Sequence, residues 1–263
     1  MLKVARNNQL KVGLLGFGKT GSLVAKELVI EPDFELAWVC RKNISENQLF
    51  ASHSLGFDKS FAPFVSEKNL NATFLENNPV DLIIDFSTNA SVKLYDLFSS
   101  YDIKIVSTIS NYTQLELELV TEVSHKTPIL ASPNITLGIN WLLVASKLLQ
   151  QIIPHADIEI VEEHFRDKSS ISGTALKLAE HLNIEPKQHV NSIRVGGIVG
   201  KHEVIFGLPH QTLRLTHESV SRSAFGTGAI FAGKWLMNKP NGLYRMENLV
   251  HEKFVKHIAS LEI

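Results

Sequence analysis

The chain concentrates its chemistry in a stretch running from Glu159 to Ala175. His164 and Lys168 stand four residues apart where a strand pattern runs out into a loop, and the loop closes on Ser172-Gly173-Thr174. That tripeptide reads as a helix N-terminus, whose free amides and hydroxyls cradle a carboxylate with help from the helix dipole. Lys168 and His164 would add positive charge and a transferable proton. The same residues also describe an N-cap flanked by exposed charges, and spacing alone does not choose between the two.

A second constellation lies near the N-terminus. Gly16-Phe17-Gly18-Lys19-Thr20-Gly21 follows the apolar run 12–15 and precedes an amphipathic run to 29. This is GxGxxG between a strand and a helix. Gly16 permits a tight turn, Gly18 lets the backbone approach a pyrophosphate, and Gly21 lets helix and strand pack closely. A glycine turn without a ligand is the plain alternative. At the end of the next strand, NAD-specific proteins place an acid that accepts from the ribose 2′-OH. Here Cys40 is followed by Arg41 and Lys42. Two cations in place of a carboxylate favour a 2′-phosphate, hence NADPH with NADH as the alternative. A solvated strand end would carry such charges too.

Two junctions offer further ligand contacts. Asp85-Phe86-Ser87-Thr88 ends a strand at the carboxyl edge, where open α/β sheets bind ligands, although Phe86 equally suits a core. Residues 132–140 form a polar junction between the last strand of the first half and a long helix.

The elements that must position these residues follow from periodicity. Strands are predicted at 11–15, 34–40, 81–86, 103–107 and 129–132, with helical patterns at 22–29, 90–99 and 113–124 between them. Alternating β and α units imply a parallel sheet with helices on both faces. The second half reads as a helix at 137–153, then strands at 157–164, 192–196, 202–206 and 211–218, the last two joined by a turn at 207–210. Such dense strands predict a mixed or antiparallel sheet. Helices at 229–237 and 246–261 close the chain.

Composition narrows the function classes. With 26 Lys+Arg against 27 Asp+Glu, the chain lacks the positive excess of a general nucleic-acid binder. Its longest apolar runs are far short of a bilayer span, and residues 1–8 carry no apolar signal core, so neither membrane nor export is expected and the cytoplasm is the default. One cysteine, Cys40, cannot form an intrachain disulfide. The 11 histidines are scattered, and no metal site is expected.

Taken together, the segments resemble the 4-hydroxy-tetrahydrodipicolinate reductase family, the dihydrodipicolinate reductases of lysine and diaminopimelate synthesis. The likeness runs from the glycine motif through Asp85-Phe86-Ser87, 132–140 and Glu162 to Ala175. It continues through Arg194 to His202, which resembles the family's R-x-G-x-I-V-G-x-H stretch, and ends at Thr216 to Arg222 and the helix after it. The E-x-H-x-R-x-K-x-x-x-SGTA pattern is the specific part.

The resemblance implies a Rossmann-like parallel-sheet domain over 1–133 and 222–263, and a smaller α+β domain with a mixed sheet over 134–221. The smaller domain would bind a small dicarboxylate and build a homotetramer. The resemblance also implies reduction of a cyclic unsaturated dicarboxylate by nicotinamide hydride, with loss of water. His164 matches the family's catalytic histidine and Lys168 its proposed general acid. Ser172, Gly173 and Thr174 match its carboxylate-binding loop. Gly16, Gly18 and Gly21 match the cofactor glycines approximately, because many members carry one more residue there. Phe86, Asn134 and Ile135 fall where strand ends approach the nicotinamide, and Ser107-Thr108 begins the stretch that matches the family's G-T-T-G turn.

The sequence departs from the family at three places: Phe165 replaces a second histidine, Ile109 replaces a hydroxyl in a turn without glycines, and the stretch from Ala175 to Arg194 is short. The departures keep open a related reductase acting on another imine, amino acid or keto acid. A nucleotide sensor without catalysis is the remaining alternative.

Overall fold

The computed structural model describes residues 9–46 and 48–260 of the chain. The N-terminal segment 1–8 and the last position of the predicted terminal helix, 261, lie outside the described residues. The chain divides into two compact units, one reaching to Ile135 and including Phe225–Leu249, the other formed by Thr136–Ala224 and residues from Val250 onward.

The first unit is built on strands β1 (Leu10–Leu15), β2 (Phe34–Cys40), β3 (Phe64–Val65), β4 (Leu82–Asp85), β5 (Lys104–Ser107) and β6 (Pro128–Ala131). The second unit contributes β7 (Asp157–His164), β8 (Val190–Arg194), β9 (Lys201–Leu208) and β10 (Gln211–Glu218), and β11 (Gly242–Tyr244) belongs again to the first. The first sheet has the order β11-β6-β5-β4-β1-β2-β3, and its neighbours pair in parallel. The chain thus forms a Rossmann-like α/β sheet. Its central strand β4 buries all four residues, as a strand covered on both faces must. One face packs Leu15, Trp38, Ile83, Tyr95, Phe98 and Ile105 into a single cluster. Each such side chain stabilises the fold by about 1.5–3 kcal/mol.

The second unit carries a separate four-stranded sheet, β10-β9-β7-β8, with β7–β8 parallel and the other pairs antiparallel. It is mixed. Helices Leu137–Ile152 and Gly173–Leu182 cover one face, where Leu142, Leu143, Ile158, Ile160, Leu178 and Phe206 pack together. Strand β7 alternates strictly, burying Ile158, Ile160, Glu162 and His164. Its core face therefore begins apolar and ends in a carboxylate and an imidazole, which need partners once removed from water.

Five elements that differ from the periodicity reading do so for local reasons. The helix expected at 90–99 splits into a 3-10 segment, Asn89–Leu94, and a short helix, Tyr95–Ser99. The Ser91 hydroxyl there bonds the Thr88 carbonyl at 2.8 Å and the Asp85 carboxylate, drawing the first turn tight. Strand β8 ends at Arg194, before Gly196 turns the chain with φ +53°. The helix expected from 229 begins at Ala224. Gly226 and Gly228 lower its apparent propensity, yet close packing requires a glycine at 226, where a Cβ would stand 2.6 Å from Glu27 Cγ. Strands β3 and β11, of two and three residues, are too short to show a period.

Candidate functional site

In the first unit the glycine motif forms the β1-to-helix turn. Gly16 takes φ +93°, and a Cβ on it would lie 2.6 Å from the Phe86 carbonyl. A Cβ on Gly21 would lie 2.3 Å from the Gly16 carbonyl oxygen, so both positions exclude larger residues. Gly18 faces open space, with nothing within 4 Å of where its Cβ would be. Thr20 precedes helix Gly21–Ile30 without a side-chain cap, and the Ser22 amide bonds the Gly18 carbonyl at 3.0 Å, so the turn around Gly18 is where an anion would meet the helix start.

At the end of β2, the Arg41 guanidinium lies over the Phe64 ring at 4.6 Å and the Phe17 ring at 5.9 Å. These two rings meet edge to face at 4.9 Å. Stacking fixes the planar group while leaving its in-plane donors unspent, which suits recognition of a phosphate. Lys42 and Lys19 are exposed.

The corner after β4 is set by Asp85, which is fully buried. It accepts from the Ser87 amide at 2.8 Å, the Ser87 hydroxyl at 2.6 Å, the Tyr95 hydroxyl at 2.8 Å and the Ser91 hydroxyl. Burial pushes its carboxyl up from the ordinary value, against those four donors. The Thr108 hydroxyl donates to the Asp85 carbonyl at 2.8 Å, and the Ser107 hydroxyl meets that of Tyr112. Around this corner opens a cavity of about 240 Å³, lined among others by Thr20, Phe86, Thr108, Ile109, Ser110 and Phe225. Thr20, Phe86 and Thr108 are thus brought together. Asn134 is half-buried, with its carbonyl accepting from Ser132, and Ile135 is wholly buried.

In the second unit, β7 delivers Glu162 and His164 beneath the loop that carries Lys168. Glu162 is wholly buried, and its carboxylate gathers four donors. One oxygen accepts from Arg194 Nη2 at 2.6 Å, Ser192 Oγ at 2.6 Å and the Ser172 amide at 3.4 Å, while the other meets His164 Nδ1. Burial alone would raise its pKa, but Arg194, Ser192 and His164 outweigh it and hold the carboxyl at about 2. Arg194 also donates to the Lys168 carbonyl at 2.9 Å and the Ser170 carbonyl at 2.8 Å, tying down the loop. Among the described residues no carboxylate pairs with the half-buried Lys168 side chain.

Ser172 caps helix Gly173–Leu182 by accepting from the Ala175 amide at 3.0 Å, and its hydroxyl meets His202 Nε2 at 2.8 Å. His202 is 4% exposed and packs edge to face on His164 at 5.2 Å. Burial first, then the nearby His164, His217 and Lys168, lower its pKa to about 4, so at neutral pH it is an uncharged partner of Ser172. Gly173 is exposed and Thr174 half-buried at the helix start.

The expected His164, Lys168 and Ser172–Thr174 therefore share one end of the second unit. Glu162, Arg194 and His202, which the quoted motifs contain without a role assigned to them, join them, as does Ser192, which no motif contains. Strand alternation could have given the signal: a Glu and a His occupying the apolar face of a strand mark a buried polar network.

The family description "Dihydrodipicolinate reductase, N-terminus" matches residues 10–135, and "Dihydrodipicolinate reductase, C-terminus" matches residues 138–250. The 4-hydroxy-tetrahydrodipicolinate reductase of Caldanaerobacter subterraneus is 31% identical over 255 residues, covering 89% of this chain and 94% of the relative. That of Rickettsia bellii is 34% identical over 200 residues, covering 68% and 80%. Among solved structures, a dipicolinate-bound dihydrodipicolinate reductase from Paenisporosarcina sp. TG-14 superposes with a TM-score of 0.75 at 22% identity, covering 91% of this chain and 99% of that one. A diaminopimelate dehydrogenase from C. glutamicum gives a TM-score of 0.57 at 10% identity, covering 97% and 100%. These two show the shared fold.

Proposed function

The chain belongs to the dihydrodipicolinate reductase family, and from that premise we propose that it reduces 4-hydroxy-tetrahydrodipicolinate to tetrahydrodipicolinate, with release of water, in lysine and diaminopimelate synthesis. The observation that carries the reading is the cluster of an unpaired lysine, a carboxylate-anchored histidine and a capped helix N-terminus in one loop region. The nicotinamide cofactor, when bound, supplies the hydride. Gly18, the helix start after Thr20 and the stacked Arg41 would hold its phosphates, and Arg41 with Lys42 favours NADPH over NADH.

The chain's own residues do the remainder. Amides at Gly173 and Thr174, with the Ser172 and Thr174 hydroxyls, receive a substrate carboxylate. Lys168 holds the developing negative charge and gives the proton that a hydride addition requires. A charge-assisted hydrogen bond of this kind contributes about 1.5–3 kcal/mol. Following NADPH oxidation at 340 nm with enzymatically generated substrate tests the reading. Wild type should turn over, and Lys168→Ala should lose roughly 10- to 100-fold in kcat/KM, as that energy implies. Equal rates in the two proteins would remove Lys168 from the mechanism.

Ile109 favours a second reading, a different imine, amino acid or keto acid, because it puts an apolar wall into the cavity of the first unit. A panel of small carboxylates separates the two: turnover confined to the dipicolinate precursor ends the alternative. We also infer a homotetramer working in the cytoplasm. Exposed Ile193, Val195 and Val199 on the second unit support burial against further copies, and sedimentation velocity measures the assembly.

A further inference from the structure

We propose that Glu162 is a positioning residue for catalysis, which fixes His164 as its Nδ1–H tautomer, so that Nε2 is the nitrogen presented to the reaction, and which through Arg194 also anchors the loop bearing Lys168. The inference rests on the reductase reading above and adds to it a residue that touches no substrate.

The geometry leaves little choice of tautomer. A buried carboxylate offers lone pairs and no hydrogen, so the His164 Nδ1 beside it must carry the proton. His164 Nε2 makes no hydrogen bond among the described residues and lies next to Gly200, where a Cβ would stand 3.0 Å away. A glycine at that position keeps the nitrogen accessible. The same carboxylate bonds three donors through its other oxygen, and one of them, Arg194, reaches onward to the carbonyls of Lys168 and Ser170. Glu162 thereby joins β7, β8, the lysine loop and the start of helix Gly173–Leu182. One ionised group sets the direction of both the imidazole and the ammonium-bearing loop.

Replacement by glutamine reverses the instruction to the histidine. Arg194, Ser192 and the Ser172 amide are all donors, so the glutamine carbonyl oxygen must stay with them. Its NH2 is left facing His164 Nδ1, which can meet it only as an acceptor, and the proton moves to Nε2. The side chain keeps its volume while the imidazole presents a donor at Nε2 in place of an acceptor, reversing the hydrogen bond it can make at the site.

The experiment uses the full chain labelled with ¹⁵N-histidine, with His164 assigned by comparison with His164→Asn. Long-range ¹H–¹⁵N correlation should show Nδ1–H with bare Nε2 in the wild type and the opposite in Glu162→Gln. The variant should lose about 10²- to 10⁴-fold in kcat, the range that positioned acid–base groups contribute, with KM changed less than about threefold. NADPH affinity, set in the first unit, should be unaltered. A wild-type His164 in the Nε2–H form overturns the proposal, and that spectrum decides even if the variant does not fold. A variant that flips its tautomer yet keeps wild-type kcat also overturns it. If instead the wild type fails to reduce the dipicolinate precursor while its tautomer is as expected, the substrate assignment falls and the positioning stands.

Discussion

Acidification gives a quantitative handle on the Glu162 network. The carboxyl is held at about 2 in the folded chain against an ordinary 4.5, a difference of roughly 2.5 units at 1.36 kcal/mol each, or about 3 kcal/mol. Because the folded value is depressed, this stabilisation is complete above pH 4.5 and is lost as pH falls toward 2. About 2 kcal/mol of it should vanish between pH 6 and pH 3. Glu162→Gln has nothing to titrate at this position, whereas the exposed pairs such as Lys126–Asp96 are common to both proteins and cancel. Urea unfolding of the two proteins at a series of pH values measures the difference. The stability gap between them should narrow by about 2 kcal/mol over that range. A gap that stays constant with pH would refute the claim that Glu162 is ionised and held by Arg194, Ser192 and His164.

Three further substitutions probe other parts of the site. Arg41→Ala should weaken NADPH binding roughly 10- to 100-fold and NADH binding less than about threefold, since only the former carries the phosphate that the guanidinium would bond; fluorescence titration of both nucleotides checks it. Ser172→Ala removes the helix cap and leaves His202 Nε2 unpartnered, and should cost about 2–4 kcal/mol in urea unfolding while raising substrate KM. Gly21→Ala forces a Cβ to within 2.3 Å of a backbone oxygen, and should lower stability by about 1–3 kcal/mol and loosen NADPH binding together.

Much of this fold is written in local pattern. β4 reads as a buried parallel strand because its apolar run is continuous, and Gly16, Gly18 and Gly21 announce a phosphate turn because each has a separate steric duty. The helix start at Gly173 is visible from Ser172, whose cap needs only the next three residues. Less legible features depend on distance along the chain. Glu162 finds its partners Ser192 and Arg194 thirty and thirty-two residues away, on a strand brought alongside only by sheet register. His202 meets Ser172 across the same gap of thirty. The stacking of Arg41 on Phe64 likewise depends on β3, two residues long and without periodicity. Tight packing hid one helix start, because the glycine at 226 that lets it approach Glu27 also argues against a helix.

The central claim is that a dicarboxylate sits on the turn formed by Ser172, Gly173 and Thr174, with the Lys168 ammonium in reach. A crystal structure with NADPH and pyridine-2,6-dicarboxylate measures this directly. The expected map shows one ligand carboxylate accepting from the Gly173 and Thr174 amides and lying about 3 Å from Lys168 Nζ, a hydrogen-bond distance. Density for the ligand elsewhere, or a Lys168 side chain directed away from it into solvent, would contradict the account.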